Sequence, residues 1–132
     1  MQHFTIDELS DSATAKAKGI DNTPTGEVKM NLQALIEQVL DPLRIKYGRT
    51  IKINSGYRSP ALNKLAGGAS TSQHLKGEAA DITAGSREEN KKLFELIKEA
   101  GVYDQLIDEK NYQWVHVSFR RDENNRKQIL HL

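Results

Sequence analysis

An apolar stripe sets the terms for this chain. Leu32, Leu35, Ile36, Val39, Leu40 and Leu43 recur at helical spacing and give one hydrophobic face. The pattern predicts a helix that opens near Pro24–Glu27 and stops at Gly48, kinked at Pro42. The later part of the chain reads as strands and further helices. Thr50–Ile53 alternates as a strand, Ala79–Ile82 is a short strand of small residues, and Asp104–Glu109 and Gln113–Phe119 are β-like runs around a Lys110-Asn111-Tyr112 turn. Helix starts are marked by capping patterns. Thr5 with Glu8 opens a short helix that Gly19 stops. Ser59-Pro60 opens another over 60–66, and Ser86 with Glu89 opens one that runs to about Ala100. Helices first, then strands interleaved with helices, then a hairpin predict an α+β domain with a small, mostly antiparallel sheet packed with helices. The 132 residues fit one domain spanning 1–132, and the polar stretch from about residue 120 reads as a solvated tail.

Composition narrows the chemistry. The chain has no cysteine, so disulfides, cysteine nucleophiles and thiolate metal sites are excluded, and any metal must be held by His, Asp or Glu. Nineteen basic against eighteen acidic side chains leave a formal charge of +1, which gives no basic field for nucleic acid. No window approaches a membrane span, and no signal peptide opens the sequence. Synthesis in a cytoplasm is expected.

Three segments carry candidate chemistry: Ser55-Gly56-Tyr57-Arg58-Ser59-Pro60, Ser72 to Asp81, and Trp114-Val115-His116-Val117-Ser118. His74 lies on a Ser/Gly/Thr-rich loop, Asp81 in a run of small residues, and His116 in an apolar strand. Two imidazoles and a carboxylate with a fourth position for water form a common catalytic zinc site. The residue types alone support a plainer reading as well: a loop histidine bonded to backbone, a strand-end cap and a buried, satisfied histidine. Of the other histidines, His3 and His131 lie near the chain ends with no partner at ligand spacing.

The combined pattern Ser-x-His-x-x-Gly-x-Ala-x-Asp (Ser72 to Asp81), followed by the distant Trp-Val-His, resembles the zinc D-alanyl-D-alanine carboxypeptidase family of metallopeptidases, which share the hedgehog-type fold. Ser55-Gly56-Tyr57-Arg58-Ser59 matches too, as do Ser12-Ala13-Thr14-Ala15 and Ile20-Asp21-Asn22-Thr23-Pro24. The resemblance covers roughly residues 4–128 and is nearest to the short branch seen in phages and prophages. It implies zinc held by His74, Asp81 and His116, and Arg58 gripping a carboxylate or carbonyl of a peptidoglycan peptide. Ser72 is then a candidate donor to substrate and Gln73 a supporting donor.

Many relatives carry an acid three residues before the last histidine. Here that position is Gln113, which takes no proton. Strand geometry offers a substitute. If Glu109 pairs with Trp114, then Ile107 lies opposite His116, and Glu109 shares a sheet face with His116 while Asp108 points to the other. Glu109 is thus the candidate general base. The expected protein is a monomeric zinc peptidase acting at the cell wall on stem or cross-link peptides. The departure at Gln113 leaves a zinc-containing binding module as the alternative, and the residue types alone also allow a metal-free interaction domain.

Overall fold

The computed structural model describes residues 3–122 and 124–132. Two short helices come first, α1 (Ile6–Ser10) and α2 (Ala13–Lys18), rather than the single one expected. Ser12 causes the break. Its hydroxyl caps a new N-terminus by accepting from the Ala15 N–H, as Thr5 does for Glu8 in α1. Gly19 ends α2 in the left-handed conformation.

The apolar stripe forms the expected continuous helical stretch, with one irregular turn. It runs as α3 (Gly26–Leu35), a π-helical turn (Ile36–Leu40) and α4 (Asp41–Tyr47), stopping at Gly48. Pro42 has no N–H to give and its ring crowds the preceding turn. The strain is met by widening that turn, so the irregularity at Pro42 takes the form of a π-bulge. Leu32, Leu35, Ile36 and Leu40 are fully buried.

After β1 (Lys52–Ser55) come α5 (Pro60–Leu65), capped by Ser59, and a 3-10 turn at Gln73–Lys76. Next along the chain are β2 (Ala79–Thr83), α6 (Arg87–Ala100), β3 (Gln105–Glu109), β4 (Trp114–Ser118) and β5 (Gln128–His131). Among the described residues these strands make one sheet in the order β1-β2-β4-β3-β5. All pairings are antiparallel except β3 with β5. The protein is therefore an α+β domain, as the element order predicted.

The sheet has two unlike faces because side chains alternate along a strand. Ala80, Ile82, Val115, Val117 and Leu106 turn toward the helices and join Leu32, Leu35, Leu93 and Phe94 in the core. Asp81, His116 and Ile107 occupy one row on the other face, since Asp81 pairs with His116 and His116 with Ile107. Glu109 opposite Trp114 is the next row on that face, which is the register expected from the sequence.

The end of the chain departs from the solvated tail. β5 adds to the sheet edge, Arg126 pairs with the fully buried Asp104 at 2.7 Å, and Arg121 Nε donates to Asn31 Oδ1 at 3.1 Å. His131 is not without a partner either: its Nδ1 contacts the buried Asp108 carboxylate. At the other end the backbone N–H groups of His3 and Phe4 donate to Asp41 Oδ1.

Candidate metal and peptide site

The polar face of the sheet is the floor of a cleft of about 550 Å³, walled by Arg58, residues 66–69 and 71–74, and Arg126. His74, Asp81 and His116 meet on that floor, each offering an atom within 4.8 Å of the others. Each arrives by a different local device. Asp81 and His116 are fixed by strand register, directly opposite on β2 and β4. His74 is carried on the 3-10 turn, which Ser72 opens by accepting from the His74 N–H at 3.2 Å. Gly77 closes the turn at φ +73, where a Cβ would also lie 2.7 Å from the Val28 carbonyl oxygen.

The His74 ring is orientated from behind. Its Nδ1 lies 2.7 Å from the Gly56 carbonyl oxygen, which only an N–H can satisfy. In the neutral ring Nε2 therefore keeps its lone pair, and it faces Asp81 Oδ2 at 3.4 Å. The other carboxylate oxygen lies 2.9 Å from His116 Nδ1. Two acceptors face one another between His74 and Asp81, an arrangement that requires a proton or a cation between them. The second-layer carbonyl behind a ligating imidazole is also the usual support of a metal-bound histidine. The donor set, two imidazoles and a carboxylate without sulfur, suits zinc. On both grounds the residues present fit the ion.

The electrostatics agree with an ionised carboxylate. Burial pushes Asp81 upward, but the His116 hydrogen bond, with the His74 ring where a proton stands between it and the carboxylate, outweighs it and holds the carboxyl well below the ordinary carboxylate range. Arg58 is the nearby counter-charge. Burial lowers its pKa while Asp81 opposes that shift. Arg58 lines the cleft, and its Nε is buried without a hydrogen-bond partner among the described residues, which leaves part of this guanidinium's donor capacity unmet.

The other expected residues divide. Glu109 lines the cleft on the same sheet face as His116, and Asp108 is buried on the opposite face. Ser72 lines it too. Its oxygen caps the turn, which leaves its own hydrogen to donate. Gln73 lies on the cleft wall, but its amide nitrogen is committed to Glu78 Oε1 at 3.3 Å and Asp104 Oδ2 at 3.0 Å. It ties the His74 turn to the residues that lead into β2 and β3. Gln113 sits in the hairpin turn, donating its N–H to the Glu109 carbonyl.

Two contributors had no clear sequence signal. Arg126 reaches the cleft because Asp104 holds its Nε and Nη2. Asn22 braces the Arg58 loop from a distance. A polar residue whose contacts lie 12 to 37 positions away leaves no local pattern; its only trace was its place within a matching motif.

Comparison with known proteins accords with this geometry. A 39-residue stretch, 30% of the chain, is 49% identical to the zinc D-Ala-D-Ala carboxypeptidase of Streptomyces albus G, where it spans 15% of that protein's length. The sequence profile of the peptidase M15 family matches residues 2–118. With a match over most of its length, this chain belongs to the peptidase M15 family.

Proposed function

We propose that this protein is a zinc-dependent peptidase that hydrolyses a peptide bond in the stem or cross-link peptides of bacterial peptidoglycan, acting at the cell wall. The observation that carries the reading is the pair of facing acceptors, His74 Nε2 and Asp81 Oδ2, completed by His116 on the cleft floor. The activity named for the Streptomyces relative supports the choice of substrate class.

His74, Asp81 and His116 would hold the ion. Bound there, zinc supplies Lewis acidity for a scissile carbonyl and makes a water acidic enough to lose a proton near neutral pH. Arg58 binds a substrate carboxylate through its planar donors, which places the scissile bond over the cleft floor. Glu109, one row along the strand from the His116–Ile107 row, accepts a proton from the attacking water at its carboxylate and returns it to the leaving amine. Ser72 donates its hydroxyl hydrogen to the peptide.

Glu109→Gln tests this assignment. The variant should bind zinc stoichiometrically and lose about 10²–10⁴ in turnover, read as new amino termini by mass spectrometry of digested peptidoglycan. Full turnover in that variant removes Glu109 as the base. Gln113, standing where many relatives carry an acid, favours a second reading as a zinc-containing binding module. Stoichiometric zinc with no released termini from the unmodified protein would support that module.

A further inference from the structure

Asn22 lies where three segments cross. Its Nδ2 donates to the carbonyls of Ser10 at 2.9 Å and Tyr57 at 3.0 Å, and its Oδ1 accepts the Ser59 N–H at 2.7 Å. The Tyr57 and Ser59 bonds bracket Arg58, one on each side. The remaining bonds of this loop are as specific. The Arg58 N–H donates to the His74 carbonyl at 3.1 Å, and the Tyr57 N–H donates to the Leu9 carbonyl at 2.7 Å. Gly56 packs so closely on Leu9 that a Cβ there would lie 2.1 Å from the Leu9 oxygen.

The backbone under Arg58 is thus held from the N-terminal helices on one side and from the His74 turn on the other. The Arg58 side chain differs: its buried Nε has no partner among the described residues. A tethered backbone carrying an unmet donor is the arrangement expected of a group kept in place for a ligand. An asparagine suits the tether because one planar amide carries both a donor and an acceptor, matching the Tyr57 carbonyl and the Ser59 N–H together. Aspartate lacks the donor, and alanine lacks both.

We infer that Asn22 is a positioning residue for Arg58. It clamps the peptide groups before and after residue 58 and so fixes where the guanidinium meets a substrate carboxylate. The inference rests on the proposed reading of Arg58 as the carboxylate grip. Loss of the clamp leaves the charge in the cleft but blurs its position, and a misplacement near 1 Å costs about a hundredfold in kcat/KM on the peptide that carries the carboxylate.

The test uses the intact zinc-loaded protein and a synthetic stem pentapeptide in three forms: unmodified, amidated at its C-terminal carboxylate, and amidated at the free carboxylate of its D-glutamate. The unmodified protein should prefer the free acid over one of the amides, and Arg58→Ala should erase that preference. Asn22→Ala should cut the preference by roughly tenfold to a hundredfold, chiefly through KM, while the rate on the disfavoured amide stays unchanged. A uniform loss on all three peptides would mean a merely structural role and overturn the inference. Retention of the full preference in Asn22→Ala would overturn it as well and leave the Arg58 reading intact. No preference in the unmodified protein, or no cleavage at all, removes the Arg58 reading and this inference with it. Circular dichroism checks the fold. If Asn22→Ala does not fold, Asn22→Ser, which keeps a short acceptor but loses the amide donors, takes its place under the same criteria.

Discussion

At the scale of single residues, glycine shows how much of the site depends on close backbone approach. Gly56 has a carbonyl facing His74 and a Cα pressed on Leu9, so a methyl group there would need backbone to move. Gly48 lies at φ +79 in open space, where an added methyl meets only its own conformational penalty. Gly56→Ala should therefore cost about 3 kcal/mol or more, and Gly48→Ala about 1 kcal/mol. Thermal unfolding of the two variants checks the order, and equal losses would refute the packing argument. The candidate ligands were legible because they are chemically distinctive residues in a short, ordered motif. Glu109 could be placed on the His116 face from alternation alone, since one hairpin register fixes which residues share that face. Asn22 was not legible, because its bonds join residues 10, 22, 57 and 59 and no local spacing encodes them.

At the scale of elements, three caps were read correctly because each is a local hydrogen bond, whereas the Ser12 cap that starts α2 was missed. Thr5, Ser59 and Ser86 all accept from the N–H three residues on. The π-turn before Pro42 was not foreseen, since proline announces a disturbance but not the form it takes. The last strand was missed for another reason. Ile129 and Leu130 are a short apolar pair in a charged stretch, and their pairing partner lies on β3, more than twenty residues earlier. What anchors this strand is electrostatic. Burial pushes the Asp104 carboxyl up, but hydrogen bonds from the Arg126 side chain and backbone outweigh it, so its pKa is held below the ordinary 3.8. A depressed folded value means that the stabilisation is complete above the unfolded pKa and is lost as pH falls through the folded one. The melting temperature should therefore fall below pH about 4, and Asp104→Asn should lack that part of the acid slope. An identical slope in the variant would show that the pair does not anchor β5.

At the scale of the whole molecule, the sheet separates two tasks by alternation. One face packs against the helices, and the other carries His116, Asp81 and Glu109. The triad joins a turn near residue 74 to strands at 81 and 116, so a bound ion would cross-link the middle of the chain to its later part. Zinc at a thousandfold excess over its Kd should raise stability by about 4 kcal/mol, and His74→Ala should abolish the shift. The β2–β4 pairing behind this cross-link also has a kinetic meaning. The β3–β4 hairpin and α6 close over short stretches, whereas β2 must find β4 across more than thirty residues. Pairings of that separation form late in folding. The ligands are then still apart at the barrier, and the ion should act on escape from the native state rather than on arrival. In stopped-flow measurements zinc should slow unfolding while leaving the refolding rate nearly constant. A refolding rate that climbs with zinc would mean that His74, Asp81 and His116 are already together when the chain commits to its fold.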